Sequence, residues 1–460
     1  MKPSFVEEIV QAGGKVYEVG GTVRDSLLGL DSKDRDLLVT RLAIEPLTRL
    51  LNRHGEVITV GKSFGVIKFY PSGQKENGFD IALPRKEIST GAGHRDFQVD
   101  YDPNLPVEVD LSRRDFTINA MARELGIASP SLIDPFKGAV DLQSKTLRMV
   151  NDRAFEEDPL RLMRGIQFAA RFQLTIEPVT FAAMQKAAPL IKTVSPERIS
   201  EELRKLFIAE KPSVGFVLME KIGILADVFP ELAENVGVEQ GNKLHKDDVF
   251  LHTMRVLDAA RKDVAIPFSG DLDLILAALF HDVGKARTKR FDPDKNRLTF
   301  YGHQTLSQRM ARKRMLALRM TTIGVNPEEI CHLVENHMFQ TKAFFSDRAI
   351  RRFINKIGPD SILKLVDLRL ADNRGGKYPE GIKGVLRLRK KIQDELDKKT
   401  PLSVRDLEIG GADLIALGIP EGPQIGKVLK ELLEIVLDDP SKNTQEALLE
   451  AAKEKTGQKE

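Results

Sequence analysis

The sequence predicts an α+β protein, with a mixed sheet and helices in the N-terminal third and domains built only of helices after it. The first observation is a series of short β-rich segments, most of them bounded by glycine or proline, at residues 16–19, 36–40, 66–70 and 78–83. The second is the pattern beyond about residue 150, where apolar residues recur at three- and four-residue spacing, as on amphipathic helices.

A chain of 460 residues is too long for one hydrophobic core, because single cores stop growing at roughly 250–300 residues. Glycine-containing breaks at 237–241 and 375–381 interrupt the helical part. Together with the change from strands to helices, these breaks predict four domains, which span residues 1–148, 149–235, 236–375 and 376–460.

The composition is that of an ordinary globular protein, with 42% hydrophobic and 30% charged residues. The sequence contains no apolar run long enough to cross a membrane. The N-terminus turns acidic almost at once, so we expect no signal peptide. The single cysteine, Cys331, excludes an internal disulfide and suits a reducing compartment. We therefore expect a cytoplasmic protein with no membrane partner.

Three aspartates in the β-rich segments form a candidate metal site. Asp34 and Asp36 precede an apolar strand, and residues i and i+2 of a strand point to the same face. Asp80 lies between apolar residues on another predicted strand. Mg²⁺ prefers hard oxygen ligands such as carboxylates, and three carboxylates on neighbouring strands suit two-metal phosphoryl transfer. An isolated Asp-x-Asp is common by chance, so the interpretation depends on its surroundings.

A glycine pair lies upstream of these aspartates, between a predicted strand and a predicted helix. Gly20 and Gly21 permit a phosphate to approach the backbone closely at the start of the helix. Arg24 adds a charged donor one turn later. Taken alone, such a pair is more often a plain turn, but together with the three aspartates it predicts a cradle for a triphosphate.

Five segments in a fixed order carry a resemblance to a known family. They lie at 19–36, 111–121, 134–138, 157–164 and 195–199. The first contains Gly-Gly-Thr-Val-Arg-Asp and Asp-Arg-Asp, and the fourth reads Glu-Asp-Pro-Leu-Arg-Leu-Met-Arg. With these motifs the chain resembles the class II tRNA nucleotidyltransferase and bacterial poly(A) polymerase family. The resemblance implies a polymerase-beta-like nucleotidyltransferase head, a helical neck, an HD domain and a helical tail that contacts tRNA.

The resemblance also implies roles for the motif residues. Asp34 and Asp36 would hold Mg²⁺, and Asp80, with Asp115 as the alternative, would supply the third acid. The nucleotide would be bound by Gly20, Gly21, Arg24, Arg114, Asp158, Arg161 and Arg164.

Asp158 and Arg161 lie three residues apart, so we expect them to share one helix face. An arginine donates to cytosine O2 and N3 or to adenine N1, and a carboxylate accepts from the exocyclic amine of either base. One such pair therefore selects CTP and ATP without a template. Gln167 departs from the family, in which an arginine is common there, and leaves open whether C and A or only A is added. The polar segment 85–96 resembles the flexible loop required for switching to A addition.

A second candidate site lies in the helical region, where histidines are concentrated at positions 252, 281, 303 and 337. Imidazole and carboxylate ligands together suit a transition metal such as Ni²⁺, Mn²⁺, Co²⁺ or Fe. The order resembles the HD phosphohydrolase superfamily. This resemblance implies phosphoester hydrolysis and a ligand set of His252, His281, Asp282 and Asp372, with Asp367 as the alternative to Asp372.

The resemblance covers nearly the whole chain and predicts addition of C, C and A to the 3′ end of tRNA from CTP and ATP. Addition of A alone and poly(A) synthesis are alternatives within the same chemistry. A poly(A) polymerase is expected to lack the HD histidines and to have a strongly basic tail. An HD RNA phosphohydrolase with an RNA-binding N-terminal half is the alternative from another class. The sequence leaves open whether the protein is a monomer or a homodimer.

Overall fold

The structure, a computed structural model, describes residues 4–31, 35–59, 66–73, 78–89, 97–127, 130–241, 248–340, 346–376 and 380–456. The chain forms two compact units, Met1–Val228 and Phe229–Glu460. The first unit holds a large sheet, and the second is helical except for one short hairpin in its described part. The predicted α+β class is confirmed.

The strands of the first unit are β1 (Lys15–Val19), β2 (Asp36–Thr40), β3 (Gly55–Thr59), β4 (Val66–Pro71), β5 (Phe79–Ala82), β6 (Arg85–Ser89), β7 (Phe97–Tyr101), β8 (Ala122–Leu125), β9 (Leu132–Ile133), β10 (Thr146–Leu147) and β11 (Thr175–Ile176). Seven of them form a mixed sheet in the order β3-β4-β5-β2-β1-β8-β9. Within this sheet β2 and β5 are parallel, and the other neighbouring strands are antiparallel. Strands β6 and β7 form a separate antiparallel pair. Of the predicted switching loop, 85–96, residues 85–89 form β6 and residues 90–96 lie outside the described residues.

The helices of the first unit are α1 (Ser4–Gln11), α2 (Gly21–Leu27), α3 (Ile44–Leu51), α4 (Val107–Ser112), α5 (Gly138–Gln143), α6 (Ala154–Glu157), α7 (Leu160–Phe172), α8 (Pro178–Ala187), α9 (Pro196–Phe207), α10 (Ser213–Ile222) and α11 (Leu225–Val228). Strand β2 is buried on both faces, because alternate side chains enter different cores. Leu37 and Val39 pack with residues of α1 and α3, whereas Leu38 packs with Tyr17 and Leu111. This packing places β2 between two hydrophobic cores.

The second unit contains α12 (Pro230–Ala233), α13 (Val249–Arg261), α14 (Leu272–Phe280), α15 (Lys285–Thr288), β12 (Arg290–Asp292), β13 (Arg297–Thr299), α16 (His303–Ala317), α17 (Pro327–Asn336), α18 (Asp347–Ile357), α19 (Ile362–Gly375), α20 (Glu380–Asp397), α21 (Gly411–Ala416), α22 (Pro423–Asp438) and α23 (Gln445–Thr456). Helix α14 is its central element: every residue from Leu274 to Phe280 is buried. It packs against α13, α16, α17 and α19. Asp271 begins the helix by accepting a hydrogen bond from the amide of Leu274. Among the described helices, none combines the length and apolar character needed to cross a bilayer.

Candidate functional site

The turn between β1 and α2 allows close approach to its backbone. Gly20 has φ 66° and ψ −126°, a conformation that favours glycine. A Cβ atom at Gly20 would overlap Nη1 of Arg114, so the absent side chain lets Arg114 lie against the turn. The amide of Asp36 donates to Thr22 Oγ1 at 3.1 Å. This bond ties the start of β2 to the first turn of α2.

Asp36 and Asp80 lie side by side on adjacent parallel strands, where they are direct register partners. Such partners project to the same face of a sheet. The Asp80 side chain is 49% exposed and lies 3.8 Å from Lys68 Nζ. The pair therefore offers two oxygen donor groups of the kind that Mg²⁺ binds. Asp34, the predicted third carboxylate, lies outside the described residues.

A cavity of about 510 Å³ adjoins the glycine turn and includes Asp36 in its wall. Its wall carries nine basic and four acidic side chains, a balance that suits a polyanion. The lining residues are Gly20, Gly21, Arg24, Asp25, Asp36, Arg85, Arg113, Arg114, Asp115, Asn119, Asp158, Leu160, Arg161, Arg164, Gln167, Phe168, Arg171, Arg198 and Lys205. All predicted nucleotide-binding residues therefore line one cavity. Asp80 is not among the lining residues, and it lies on β5, next to Asp36 of β2.

Arg114 is held by two hydrogen bonds, and its Nε has no acceptor among the described residues. Its Nη2 donates to Asp110 Oδ2 at 3.2 Å and its Nη1 to the Asn119 carbonyl at 3.4 Å. Its Nε is buried and has no hydrogen-bond partner among the described residues. Because a buried donor without an acceptor is costly, the cavity is suited to a ligand that brings an acceptor to Arg114.

Arg24, predicted to contact the triphosphate, is buried among partners within the protein. It donates from Nε to Asp25 at 2.8 Å and from Nη1 to Asn119 Oδ1 at 2.6 Å. Its guanidinium also stacks on the rings of Phe168 and Phe172, with its carbon 5.2 and 4.5 Å from their centroids. Arg24 therefore anchors α2 to α7, and its contact with a phosphate stays a prediction.

Asp158 and Arg161 line the same cavity, but the expectation that they share one helix face is wrong. Asp158 follows the end of α6 in an extended conformation, and Arg161 lies in the first turn of α7. Pro159 accounts for this break between α6 and α7, because a proline disfavours the helical conformation in the residue before it. The Asp158 carboxylate accepts from the amide of Leu160 at 3.1 Å and from Arg198 Nη2 at 2.8 Å.

Arg161 is oriented by backbone carbonyls: Nη2 donates to Arg113 at 2.6 Å and Nη1 to Ala154 at 3.0 Å. It also donates to Glu157 at 3.2 Å. The side chains of Asp158 and Arg161 are thus fixed by separate partners around one opening.

Arg164 and Asp115 form an ion pair in the cavity wall, in which Asp115 is buried and Arg164 is partly exposed. Arg164 Nε donates to Asp115 Oδ2 at 2.7 Å, and Asp115 Oδ1 accepts from the amide of Phe116 and from Asn119. Burial opposes ionisation of Asp115, but Arg164 and Asn119 outweigh it and lower the pKa of its carboxyl. Because both oxygens of Asp115 are engaged, it organises the wall, and Asp80 is the acid adjacent to Asp36.

The second candidate site is a buried cluster of histidines and aspartates in the second unit. His252 lies on α13, His281 follows α14, and Asp372 lies on α19. His252 Nε2 is 3.1 Å from Asp372 Oδ1, and His281 Nε2 is 3.0 Å from Asp282 Oδ2. Asp367, the alternative to Asp372, lies elsewhere: it accepts from Arg389 and from the amide of Phe268.

Two further histidines complete this cluster. His303 begins α16 and His337 follows α17. Their Nε2 atoms are 3.3 Å apart, and His303 Nε2 is 3.2 Å from Asp282 Oδ1. Sequence reasoning noted both residues without assigning them as ligands. The signal that could have found them is their place at helix ends in a chain with only eight histidines.

The hydrogen bonds of three imidazoles fix which nitrogen faces the centre. Nδ1 of His281, His303 and His337 donates to the carbonyl of Ala278, Phe300 and Val334, respectively, at 2.7–2.8 Å. A carbonyl only accepts, so Nδ1 carries a proton in each of these rings and Nε2 is the nitrogen that faces inward. Burial and the neighbouring His281 lower the pKa of His337 to about 3, which keeps that ring neutral. Imidazoles with Nδ1 bonded to a carbonyl and Nε2 directed inward are typical of metal-binding histidines.

Asp282 divides the cluster into two halves. Oδ2 lies 3.0 Å from His281 and 3.9 Å from His252, whereas Oδ1 lies 3.2 Å from His303 and 3.9 Å from His337. Two groups able to hold a cation result, His252–His281–Asp282 and Asp282–His303–His337. The residues therefore fit divalent metal binding, with one carboxylate common to both groups.

Comparison with protein families agrees with this arrangement. Residues 16–148 match the family described as "Poly A polymerase head domain", and residues 173–235 match "Probable RNA and SrmB- binding site of polymerase A". Residues 249–374 match "HD domain", and residues 385–452 match a "tRNA nucleotidyltransferase domain 2".

Individual relatives and structures are similar as well. A "Multifunctional CCA protein" of Burkholderia mallei is 40% identical over 282 residues, which cover 60% of this chain and 64% of the relative. The chain thus matches less than two thirds of that relative's length. "The structure of CCA-adding enzyme apo form II" superimposes with a TM-score of 0.66 at 25% identity, over 99% of this chain and 95% of the other. A Thermotoga maritima CCA-adding enzyme complexed with tRNA has the same fold, with a TM-score of 0.61 at 24% identity, over 97% and 93%.

Proposed function

We propose that this chain belongs to the family of class II tRNA nucleotidyltransferases and poly(A) polymerases and adds C, C and A to the 3′ end of tRNA from CTP and ATP. The observation that carries the proposal is the pairing of Asp36 with Asp80 beside a glycine turn and a basic cavity. Carboxylates suit a metal-assisted transfer, and the basic wall suits a triphosphate.

Asp34, Asp36 and Asp80 would hold Mg²⁺. When bound, Mg²⁺ supplies charge neutralisation at the attacking 3′ hydroxyl and at the leaving pyrophosphate. Arg114 donates from its free Nε to the nucleotide, next to the glycine turn where the chain backbone can approach phosphate. Gly21, Arg24 and Arg164 complete the proposed nucleotide-binding set.

Asp158 and Arg161 select the base in this proposal. Asp158, held by Arg198, accepts from the exocyclic amine of cytosine or adenine, while Arg161 donates to the adjacent ring acceptor. Uracil and guanine present a carbonyl where the amine is expected, which leaves the carboxylate without a donor. Each such mismatch costs about 1–3 kcal/mol.

A second function follows from the HD cluster. We infer that His252, His281, Asp282 and Asp372, together with His303 and His337, hold divalent transition-metal ions such as Ni²⁺, Mn²⁺, Co²⁺ or Fe. A metal held by these residues would supply an activated water molecule as the nucleophile for phosphoester hydrolysis. We propose 2′,3′-cyclic phosphates and 2′-nucleotides at RNA ends as the substrates.

The four segments 1–148, 149–235, 236–375 and 376–460 are proposed as head, neck, HD domain and tRNA-contacting tail. In this division the head and neck share the nucleotide cavity, and the HD cluster is a separate site.

The test of the transfer activity uses tRNA transcripts that end before CCA, after C and after CC, each with one labelled nucleotide. The expected result is CTP incorporation into the first two and ATP incorporation into the third. Extension of the third transcript alone would instead support an enzyme that adds only A. Incorporation of UTP or GTP at comparable rates would contradict the proposed selection by Asp158 and Arg161.

A further inference from the structure

The hairpin of β12 and β13 is fixed beside the HD cluster. Together with α15 it separates His281 and Asp282 from His303 in the chain. The carbonyl of Phe300, the residue after β13, accepts from His303 Nδ1 at 2.7 Å. The Phe300 ring centroid lies 5.6 Å from Lys285 Nζ, which in turn lies 2.7 Å from Asp282 Oδ2. The chain leaving the hairpin is therefore tied to residues of the cluster by two contacts.

Tyr301, the next residue, is an exposed aromatic side chain close to this cluster. It is 68% exposed. It comes two residues before His303, so the Cα atoms of these residues are at most about 7 Å apart. The Tyr301 hydroxyl accepts from Lys295 Nζ at 2.7 Å, which holds the ring at its hydroxyl end. Most of the ring therefore stays accessible to a ligand that extends outward from the cluster.

Two exposed arginines lie on the same face of the hairpin as Tyr301. Lys295 Nζ lies 3.0 Å from Asp292 Oδ2 as well as contacting Tyr301, so the phenol is on the Asp292 face. Arg297 is the register partner of Asp292, and Arg290 is two residues from Asp292 on β12, so both share this face. Within the described residues neither arginine forms an ion pair. The face thus combines an open aromatic ring with uncompensated positive charge.

This combination is typical of surfaces that bind single-stranded nucleic acid, in which bases stack on aromatic rings and cations follow the phosphates. The whole stretch from Lys285 to Tyr301 carries six basic residues and only two acidic ones, Asp292 and Asp294. Such a charge favours a polyanion over a protein surface of mixed charge.

We propose that this face of the hairpin binds the single-stranded 3′ end of an RNA whose terminal phosphate lies in the HD cluster. The penultimate base stacks on Tyr301, and the backbone phosphates lie beside Arg290 and Arg297. The inference rests on the proposed phosphohydrolase function and names RNA ends, in preference to free nucleotides, as its substrates. Because every base has a π face, the surface selects for length and not for sequence.

The test compares hydrolysis of two substrates by the full chain with Ni²⁺, a trinucleotide ending in a 2′,3′-cyclic phosphate and a 2′,3′-cyclic mononucleotide. Tyr301→Ala should raise KM for the trinucleotide roughly tenfold, the loss expected for one stacked base, with kcat unchanged. It should leave both constants of the mononucleotide unchanged, because that substrate has no second base. Tyr301→Phe keeps the ring and should match the unaltered chain. Replacing Arg290 and Arg297 together by Gln should weaken the salt dependence of KM for the trinucleotide.

Phe291→Ala is the matched control. Phe291 is 60% exposed and pairs with Leu298, so it is an equally open ring on the opposite face of the hairpin. Its replacement should leave KM of both substrates unchanged.

Photocrosslinking provides a reading that does not depend on hydrolysis. The same trinucleotide, with 4-thiouridine at its penultimate position, is irradiated with the full chain after EDTA treatment, which keeps the cyclic end intact. Peptide mapping should place a crosslink within residues 290–301, and Tyr301→Ala should reduce it.

An unchanged KM for the trinucleotide in Tyr301→Ala would overturn the inference while leaving the proposed hydrolysis intact. An equal rise for both substrates would overturn it too, because Tyr301 would then act on the cluster and not on a neighbouring base. If the unaltered chain hydrolysed neither substrate, the proposed phosphohydrolase function would fail. The crosslink would then decide the inference by itself, and its absence from the hairpin would overturn it.

Discussion

Asp36 and Asp80 occupy the same register position on the parallel strands β2 and β5, although they are far apart in the sequence. The two carboxylates come together because β5 inserts between β4 and β2, and not because of any local motif. Antiparallel neighbours on the outer sides hold both strands in place. The candidate catalytic acids are thus products of sheet topology.

Replacing either acid by its amide tests this relationship. Asp36→Asn or Asp80→Asn should reduce nucleotide incorporation roughly a thousandfold, or about 4 kcal/mol of transition-state stabilisation, because a metal ligand is lost. Incorporation of labelled CTP into a tRNA that lacks CCA is the measurement. Asp102→Asn, in the same unit but outside the cavity wall, is the control. Near-normal incorporation by the Asp80 variant would show that another acid completes the site.

Gly20 and Gly21 differ in backbone conformation and in the space around them, so substituting each by alanine gives a matched comparison. Gly20→Ala places a Cβ against Arg114 at a positive φ, whereas Gly21→Ala meets only ordinary contact, 3.5 Å from Arg24. We expect Gly20→Ala to lower the free energy of unfolding by about 1–3 kcal/mol and Gly21→Ala to change it much less. Urea unfolding measures both. Equal losses would mean that the conformation of Gly20 is not a constraint.

The strands that sequence predicted are those in which β-branched or aromatic residues are bounded by turn residues, such as 36–40 and 66–70. β8 was not predicted, because Ala122 to Leu125 includes Arg123 and Glu124 and has no clear strand pattern. Its pairing with β1 decides its conformation. Strand propensity is strongly dependent on such context.

The candidate sites were predictable in composition but not in arrangement. Order and residue type indicated His281 and Asp282 as ligands, and the structure places both in the cluster. That the two oxygens of Asp282 face different pairs of histidines depends on how α13, α14, α16 and α17 pack, which spacing along the chain does not reveal. In the same way, the break at Pro159 separated two residues that simple helical spacing had placed together.

The double-sided position of Asp282 predicts two metal ions per chain, one for each group of ligands. His303→Gln removes a ligand of one group only, so the variant should retain one ion and lose affinity for the other at least about tenfold. Metal analysis after dialysis gives the stoichiometry. His332→Gln is the matched control, because His332 Nε2 donates to the carbonyl of Ile357 and its Nδ1 accepts from Asn336, both outside the cluster.

The same His303→Gln variant should incorporate CTP and ATP at the unaltered rate, because its site is separate from the nucleotide cavity. Retention of both ions by His303→Gln would show that His303 is not a ligand, and a single ion in the unaltered chain would contradict the second group. Loss of both would indicate that the two groups bind metal only together.

Asp110 links stability to pH. It is fully buried and accepts hydrogen bonds from Arg113 and Arg114. Burial opposes its ionisation, but the two arginines outweigh burial and lower the pKa of Asp110. A carboxyl whose pKa is lower in the folded state stabilises above its unfolded pKa of about 3.9, and loses that effect as pH falls through the folded pKa.

Asp110→Asn should therefore destabilise the protein by a constant amount near neutral pH, and the difference from the unaltered protein should shrink below about pH 4. Denaturant unfolding at a series of pH values checks this. A difference that grows on acidification would have the wrong sign and would exclude the charged form of Asp110 as the stabilising one.

Arg198 orients Asp158 in the proposed base-reading pair, because its Nη2 donates to Asp158 Oδ2 at 2.8 Å. Arg198→Met removes the donor from Arg198 to the Asp158 carboxylate and leaves the donor from the amide of Leu160. The carboxylate should then rotate more freely. We expect the preference for CTP over UTP, measured as a ratio of kcat/KM values, to fall roughly tenfold. Arg204→Met is the control, since Arg204 lies on the same helix, α9, and pairs with the solvent-facing Glu201. If Arg198→Met lowered kcat/KM for both nucleotides equally, Arg198 would instead bind the phosphates, which all nucleotides share, and Asp158 would read the base without its help.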